Sequence, residues 1–501
     1  MRPYYDYIIV GTGPAGLALA QYLCHSGRSI LILDSMEAIG GCHRVVRVPY
    51  EKKHMLFTEH GPRIYVSNYK NFQFLLKDMG HDFHSLFTPY RYSVQGEMLK
   101  RMTTLSVREW ANLMGAFLLF LTDENYGKKS TIQQFGKKHH FSPETMDLLD
   151  RVARMTDGAG NERYTMNMLF QLINQSFFYL IYQPRLPNDV GLFAVWENFL
   201  RKQQNIDILL EHDVIHLSYN KTINTIQSIW VVDKKNHNTI EIKGHQIILA
   251  VPPHAIARIL KTCHEKVKNS FMPYPKLEKF VKNTNYNSYI SITFHWNTKQ
   301  ENLTPVHGFP TGEWGVLFIV LSDYMNMTQE YSKTLISCCV SYLDRPSQHT
   351  GKTANQSTAD EVIEETFRQL KTVMPLLPKP DVALISPQNS YDYKQQTWTQ
   401  YDVSYFSSPK ENPMKNHGMV NNLFNVGVQN GHNVIAFTTL EAAVSNALAL
   451  AYRLDPTIIS KFPYQKFWTL RDIVKIVAFI LLFFVILIFI LVLIRKEQTN
   501  N

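Results

Sequence analysis

The chain has 501 residues, of which 45% are hydrophobic and 19% charged, and its formal net charge is +9 at pH 7. This composition excludes a disordered chain, and the length predicts two or three structural units rather than one core. Basic residues are spread along the chain without a cluster, and we expect no nucleic-acid partner. The five cysteines contain no CxxC pair, which argues against a zinc site and favours a reducing compartment.

The first predicted unit, residues 6–41, consists of a strand, a glycine-rich turn, a helix and a second strand. Residues 7–10 are an apolar run that leads into GTGPAG at 11–16, a match to the G-x-G-x-x-G fingerprint. Its glycines permit, in order, a tight turn, the approach of a pyrophosphate, and close helix–strand packing. Residues 29–33 predict the second parallel strand, and Asp34 at its end is placed to bind a ribose. A tight turn that binds nothing would explain the glycines alone, but the complete order favours dinucleotide binding.

The next segments are mostly helical in pattern. The glycine pair at 40–41 is typical of a chain that returns past a pyrophosphate toward a flavin. Residues 68–79 predict an amphipathic helix that ends at Gly80. The twelve-residue apolar run at 110–121 is too short to span a membrane, and we interpret it as a core helix or one wall of a substrate pocket. Further helices are predicted at 145–155, 164–181 and 193–200.

From residue 206 onward the pattern changes to short β-rich runs. Three runs predict a β-meander that returns to the first sheet, at 206–215, 225–232 and 240–249. Three more predict a second sheet, at 289–296, 314–321 and 334–343. The last of these contains Cys338 and Cys339, which a buried strand explains better than a redox pair. A helix at 359–376, an aromatic-rich stretch at 397–406, a strand at 423–427 and a helix at 440–454 complete the pattern.

The C-terminal segment is different in kind. Residues 476–494 are nineteen apolar residues without a charge, long enough to span a bilayer at about 1.5 Å per residue. Lys475 precedes this segment, and Arg495 and Lys496 follow it. A buried core helix is the alternative, but a soluble helix rarely lacks a polar face. We therefore expect a single-pass tail anchor with the catalytic domain facing the cytosol.

Four separated segments resemble the flavin-containing amine oxidase and protoporphyrinogen oxidase superfamily. They are residues 10–23 with Asp34 and the glycine pair, EHGPRIY at 59–65, and the segments 213–253 and 423–451. The resemblance implies FAD, and it implies the residues that bind it: Gly11, Gly13, Pro14, Ala15, Gly16, Asp34, Ser35, Gly41, Arg44, Gly61, Pro62, Arg63, Val214, Gly427, Thr439, Leu440 and Glu441.

The resemblance also implies the fold and its division. We expect an α/β chain with a glutathione-reductase-type Rossmann-like FAD domain, an α+β substrate domain and one C-terminal transmembrane helix. The expected FAD domain comprises residues 1–89, 205–260 and 416–455. The expected substrate domain comprises a mostly helical cap at 90–204 and a sheet with helices at 261–415. A linker at 456–473 leads to the transmembrane helix at 474–495.

The sequence departs from the family pattern at three places. Cys42 stands where an arginine usually follows the glycine pair, with Arg44 two residues later, so either side chain is a candidate for the phosphates. Residues 423–451 contain no cysteine, which excludes a cysteinyl-flavin bond there and makes non-covalent FAD the expectation. The lysine that amine oxidases hold near flavin N5 has no counterpart in 289–296. Glu441 is either a cofactor contact or a carboxylate that only settles its own helix.

The implied chemistry is transfer of hydride from a substrate C–H bond to flavin N5, followed by reoxidation by oxygen or an external acceptor. The substrate is then an amine or a saturated CH–CH or CH–NH compound, and a bilayer anchor favours an apolar one. Aromatic side chains suit the wall of its pocket, although core packing would also explain them. The candidates are Trp398, Tyr401, Tyr405 and Phe406, with Phe309 and Trp314.

Two alternatives remain open for the function. One is a non-redox flavoenzyme of the mutase or isomerase type, and the other is an inactive FAD-binding membrane protein. The lone histidines His295, His307 and His432 do not indicate a catalyst, and no metal site is expected.

Overall fold

The computed structural model describes residues 2–61, 63–90, 102–158, 160–286, 289–301, 303, 312–400, 405–406, 413–431, 435 and 439–500. Its strands are β1 Tyr5–Val10, β2 Ile30–Leu33, β3 Val45–Tyr50, β4 His54–Glu59, β5 Tyr65–Val66, β6 Phe87–Pro89, β7 Ile181–Pro184, β8 Ile206–Leu209, β9 His212–Asn220, β10 Thr225–Asp233, β11 Thr239–Leu249, β12 Asn285–Tyr286, β13 Ile290–Trp296, β14 Val316–Val320, β15 Thr334–Val340, β16 Val382–Ile385, β17 Asn389–Asp392, β18 Thr397–Gln400, β19 Tyr405–Phe406 and β20 Leu423–Asn425.

Short 3-10 turns occur at Gly41–His43, Leu321–Asp323, Ala354–Gln356 and Val428–Asn430. The helices are α1 Pro14–Cys24, α2 Lys70–Asp78, α3 Phe83–Leu86, α4 Val107–Thr122, α5 Ile132–His139, α6 Pro143–Asp157, α7 Met166–Ser176, α8 Leu192–Arg201, α9 Pro253–Lys261, α10 Glu265–Lys268, α11 Tyr274–Asn283, α12 Ala359–Val373, α13 Leu440–Leu454, α14 Ile458–Lys461 and α15 Leu470–Asn500.

The main sheet is built from three separated parts of the chain. Its parallel strands run in the order β8-β2-β1-β11-β20. The first half of β11 instead pairs antiparallel with β10, which pairs with β9, so β11 belongs to both the parallel sheet and the meander. The carboxyl ends of β1, β2, β11 and β20 therefore lie along one edge, where open parallel sheets bind their ligands.

Helices cover both faces of this parallel sheet. Helix α1 is buried along its whole length, because its small residues let it pack closely between the sheet and α13. On the opposite face, Ile8, Leu31 and Leu33 pack with Ile256 of α9 and Leu277 of α11. A parallel sheet covered on both faces needs strands that are apolar throughout, and β2 and the part of β1 from Tyr7 onward have this character.

A second, antiparallel sheet has the order β14-β15-β13-β16. Helix α12 covers one face, through Val362 and Leu370. Ile319 and Leu335 belong to another core, shared with Phe57 of the β3–β4 hairpin and with the helices α4 to α7. This sheet therefore lies between α12 and the helical cap.

Three sequence predictions differ from this structure. The predicted helix at 164–181 ends at Ser176, and Ile181 begins strand β7. The run at 206–215 is not one strand: it breaks at Glu211, whose φ is +61°, because β8 belongs to the parallel sheet and β9 to the meander. Residues 110–121 do lie in a helix, α4, but only one side of it packs in a core, through Ala116 and Phe120. Its Met114, Leu118 and Leu119 are each about half exposed, at 48%, 56% and 53%.

Candidate functional site

A cavity of about 700 Å³ begins at the carboxyl edge of the parallel sheet and extends to the second sheet. This volume lies within the range of ligand sites. Arg63, which the sequence also predicts for the cofactor, lines the cavity beside His60. At the sheet edge the cavity is lined by many of the other predicted residues: Gly11, Gly13, Pro14, Ala15, Asp34, Ser35, Gly41, Val214, Gly427, Thr439 and Leu440. They come from three of the four segments that carry the family resemblance, and the fold brings them together at one end of the cavity.

The three glycines of the turn have different reasons for being glycine. Gly11 has φ +112°, and a Cβ there would lie 2.4 Å from the carbonyl oxygen of Ala250. A Cβ on Gly16 would lie 2.0 Å from the carbonyl oxygen of Gly11. At Gly13, by contrast, φ is −69° and the nearest atom to a Cβ is the Cα of Gly41, at 3.8 Å. Packing explains Gly11 and Gly16, whereas Gly13 leaves open a space on the cavity side that a side chain would fill.

The same turn opens helix α1 toward this space. Gly13 is its N-cap and Pro14 its first residue, and no side chain among the described residues caps the first turn. The positive end of the helix dipole and its amides are therefore available to a phosphate. A pyrophosphate fits this cradle in both charge and space.

Asp34 holds the glycine turn in place. Its Oδ2 accepts hydrogen bonds from the Thr12 amide at 2.7 Å and from the Thr12 hydroxyl at 2.6 Å, and its Oδ1 accepts from the Met36 amide at 3.0 Å. Arg44 Nη2 lies 3.8 Å from Oδ1, and Arg44 Nε donates to the Ala38 carbonyl at 2.6 Å. Arg44 is thus buried beneath the loop and does not line the cavity, whereas Cys42 does.

The segment after β4 contributes a cluster of titratable groups. Arg63 lines the cavity and donates to the carbonyl of Cys42 and to Nδ1 of His60. Since Nδ1 accepts this bond, His60 carries its proton on Nε2, which has no hydrogen-bond partner among the described residues. Burial and the charge of Arg63 hold the pKa of His60 and His43 well below the usual value, so both rings are neutral at pH 7. Burial raises the pKa of Glu59 to about 7, against the opposing effect of Arg63.

Gly61 of this segment has φ +152°, and a Cβ there would lie 2.5 Å from the sulfur of Cys339. It holds the loop against the second sheet and is not one of the residues that line the cavity. The predicted residue Pro62 lies outside the described residues.

Helix α13 brings its N-terminus to the same cavity. Thr439 caps it, accepting a hydrogen bond from the Ala442 amide at 3.0 Å, and Thr439, Leu440 and Ala443 line the cavity. This second helix N-terminus suits a ligand that carries negative charge.

The carboxylate of Glu441 does not face the cavity. It accepts hydrogen bonds from the Asn71 amide at 2.9 Å, from Asn71 Nδ2 at 2.7 Å and from the Phe72 amide at 2.9 Å. These amides belong to the first turn of α2, whose N-cap Tyr69 provides no side-chain cap. Burial raises the pKa of Glu441 to about 7, although these hydrogen bonds lower it. The sequence left open whether Glu441 contacts the cofactor or only settles a helix. The structure shows the second role, but the helix that Glu441 caps is α2 and not its own helix α13.

The predicted aromatic wall lies elsewhere. Trp398 packs in the core of the second sheet, where its Nε1 donates to the Ala354 carbonyl at 3.2 Å, and Trp314 is buried in the same core. Neither lines the cavity. Tyr401, Phe309, His307 and His432 lie outside the described residues, and so do the side chains of Tyr405 and Phe406. His295 is buried against Ser332, away from the cavity, and burial lowers its pKa to about 3.

A different set of side chains forms the substrate end of the cavity. It comprises His60, Arg63, Arg154, Met155, Leu172, Ser176, Tyr179, Ile181, Tyr289, Leu317, Phe318, Ile319, Cys339 and Ser341. His60 and Arg63 follow β4, and the others come from the second sheet and from the helical cap, one or a few per element, so no contiguous motif marks the whole set. Among the described residues no group of His, Cys, Asp and Glu side chains could hold a metal ion.

A model of the flavin containing amine oxidoreductase family matches residues 14–430 of this chain. The chain belongs to this family. The predicted membership is thus confirmed, and a flavin is the cofactor that the family implies.

Two solved structures of other proteins are similar to this chain over most of its length. The structure of putrescine oxidase bound to putrescine is 14% identical, with a TM-score of 0.57 over 90% of this chain and 99% of that one. An oxidoreductase from Methanosarcina mazei is 12% identical, with a TM-score of 0.56 over 89% of this chain and 99% of that one. They confirm the predicted α/β fold. A search among curated protein sequences finds no match.

Proposed function

We propose that this chain is an FAD-dependent oxidoreductase that takes hydride from a largely apolar substrate without a fixed positive charge. The observation that carries the proposal is one continuous cavity with two different ends. One end has the glycine turn and two helix N-termini, and the other has an apolar wall with two arginines. When bound, the flavin supplies the hydride acceptor.

In this proposal the two helix N-termini and the glycine turn hold the dinucleotide. The α1 N-terminus with Gly13 receives the pyrophosphate, Asp34 and Ser35 lie at the ribose, Val214 lies at the adenine, and Thr439 with Leu440 serve the flavin end. Non-covalent binding is supported by the absence of cysteine from 423–451. Burial also raises the pKa of the Cys339 thiol, which keeps this lining residue protonated.

The charges of the lining residues support the choice of substrate. The carboxylates among the described lining residues are Asp34 and Asp213, both at the adenosine end. The substrate end instead presents Arg63 and Arg154, together with neutral histidines. Arg63 lies 3.8 Å from Glu59 and Arg154 lies 3.0 Å from Asp150, but neither carboxylate is a lining residue of the cavity. A substrate with two positive charges would therefore meet the guanidinium groups first, so we infer a neutral or anionic compound with an oxidisable CH–CH or CH–NH bond.

Within this site His60 is a neutral hydrogen-bond donor, because Arg63 occupies its Nδ1 and leaves the proton on Nε2. Arg63 also ties this ring to the backbone at Cys42, so the two segments beside the proposed flavin position are held together. His60 and Arg63 hold these segments in position and exclude water from the site. Neither residue is proposed as an essential general base.

The test is anaerobic reduction of the purified full chain in detergent, with amines, porphyrinogens and polyenes screened for bleaching of the flavin absorbance. Neutral or carboxylate-bearing apolar compounds are expected to bleach it, and the flavin is expected to be FAD that heat releases completely. Bleaching by diamines alone would contradict the proposed substrate class. Turnover without oxygen uptake on prereduced enzyme would indicate a non-redox flavoenzyme, and no reduction by any class would indicate an inactive protein.

We also propose that α15 is a tail anchor, with the catalytic part on the cytosolic side. Residues Leu470–Arg495 are long and apolar enough to cross a membrane, and their most apolar stretch is 0% buried within the protein, unlike a core helix. Resistance to alkaline extraction, with protease access to the catalytic part from the cytosolic side, is the expected result. Release of the full chain by alkaline carbonate would contradict the anchor.

A further inference from the structure

The base of α15 is held between two elements of the helical cap. Arg471 donates to the carbonyls of Leu121 at 2.8 Å and Thr122 at 3.0 Å, and it forms an ion pair with Glu124 at 2.6 Å. These bonds fix the base to the C-terminal end of α4. The Arg471 amide donates to Asn174 Oδ1 of α7 at 2.8 Å. The direction in which α15 leaves the protein is therefore tied to α4 and α7.

The same two elements expose an unusual number of large apolar side chains. We call them the collar: Met114, Leu118 and Leu119 of α4; Ile173, Phe177, Phe178 and Leu180 of α7 and the residues after it; and Trp468 before α15. Each is between 40% and 64% exposed. Helix α4 buries only Glu109, Ala116 and Phe120. Soluble proteins rarely expose apolar surface in this concentration without a partner for it.

We propose that the collar lies in the interfacial layer of the bilayer that α15 crosses, so that the catalytic part rests on the membrane instead of hanging from a flexible tether. This proposal rests on the tail anchor proposed above. Leu118 is three residues from Leu121, or about 4.5 Å along the helix axis, and Leu121 binds the base of α15. An interfacial helix buries an apolar face of this kind at the boundary between headgroups and acyl chains. Continuity with an apolar spanning helix selects lipid as the occupant.

The collar also determines which part of the cavity faces the membrane. In the segment 172–181, Leu172, Tyr179 and Ile181 line the cavity, whereas Ile173 and Phe177 belong to the collar. One short segment is therefore a wall of the substrate end on one side and membrane surface on the other. Seated in this way, the protein holds its substrate end beside the lipid, where apolar compounds concentrate.

The test uses the full chain in phosphatidylcholine nanodiscs, with a photoreactive benzophenone amino acid placed at one position at a time. Collar positions are Leu119 and Phe177. The matched control is Leu376, which is 94% exposed and lies just beyond α12, and the positive control is Phe484 within α15. Mass spectrometry of the irradiated protein is expected to find lipid adducts at Leu119, Phe177 and Phe484 and none at Leu376. Unchanged flavin content of each variant verifies that it has folded.

The possible failures are distinguishable. Lipid adducts at Phe484 but not at Leu119 or Phe177 would overturn the collar and leave the anchor standing. No adduct at Phe484 would overturn the anchor, and the collar with it. Cross-linked dimers from Leu119 or Phe177 in place of lipid adducts would make the collar an interface between two copies of the chain.

Discussion

Substitution of Gly13 separates a ligand requirement from a folding requirement within one motif. In the structure Gly13 has φ −69° and ψ 172°, which any residue adopts, and a Cβ would have no atom closer than 3.8 Å. Gly13→Ala therefore has room in the protein, and an alanine at a compatible site stabilises a fold by about 0.4–1 kcal/mol through the unfolded state. The apoprotein should lose no stability.

The cofactor should respond in the opposite way, because the methyl group occupies the proposed pyrophosphate space. Displacing the phosphates from two amides would remove two charge-assisted hydrogen bonds of about 1.5–3 kcal/mol each. The sum, about 3–6 kcal/mol, corresponds to a rise in Kd of roughly two to four orders of magnitude. Gly13→Val fills the space further and should abolish flavin retention.

The assay is titration of detergent-solubilised apoprotein with FAD, followed by flavin fluorescence, together with thermal unfolding of the same apoprotein. Gly16→Ala is the matched control: its Cβ would lie 2.0 Å from the Gly11 carbonyl oxygen, so it should lower the melting temperature of the apoprotein itself. Full flavin content in Gly13→Val, or unfolding of Gly13→Ala without flavin, would refute the reasoning.

Three further predictions concern charged side chains. Glu441→Ala leaves the Asn71 and Phe72 amides in the first turn of α2 without an acceptor. Each orphaned amide costs roughly 1–3 kcal/mol, so the free energy of unfolding should fall by at least about 2 kcal/mol. Denaturant unfolding measures this loss, with Glu278→Ala at an exposed position as the control. The pKa of Glu59 is about 7 in the folded protein, above its unfolded value. Folding therefore takes up a proton there, and the contribution of Glu59 to stability should fall as pH rises from about 5 to 8, by up to about 3 kcal/mol. Glu59→Gln removes this contribution, so the difference in stability between wild type and variant should change with pH across this range, and a difference that stays constant with pH would contradict it. Arg154→Gln should raise KM for a carboxylate substrate more than for its methyl ester, and equal effects on both would count against an anion contact.

The cofactor end of the site could be predicted because its determinants are local in sequence. Strand, turn, helix and terminal carboxylate follow one another within residues 6–41, and each position has its own physical reason. Even there, sequence left open whether Cys42 or Arg44 faces the ligand. The structure places Cys42 at the cavity, because Arg44 is buried beneath the loop with Ala38 and Asp34.

Other elements could not be predicted, since long-range packing decides them. The break at Glu211 depends on which part of the sheet receives each flanking strand, and the sequence of residues 206–215 does not contain that information. The β3–β4 hairpin turns through Glu51 and Lys52, both with positive φ, where turn rules expect asparagine and glycine. Trp398 shows the same limit for a functional residue. An aromatic side chain suits a pocket wall, yet the indole N–H of Trp398 donates a hydrogen bond to the Ala354 carbonyl in a core.

The two ends of the cavity also carry different amounts of information about function. The cofactor end uses backbone amides and glycines, which the fold itself supplies, so it accompanies the fold wherever the family pattern occurs. The substrate end uses single side chains from the second sheet and the helical cap, and these can change without disturbing the fold. Similarity to putrescine oxidase therefore extends to the architecture, whereas the substrate has to be argued from Arg63, Arg154 and the apolar wall. Two guanidinium groups at that end favour a neutral or anionic molecule, and the collar beside it favours one that dissolves in lipid.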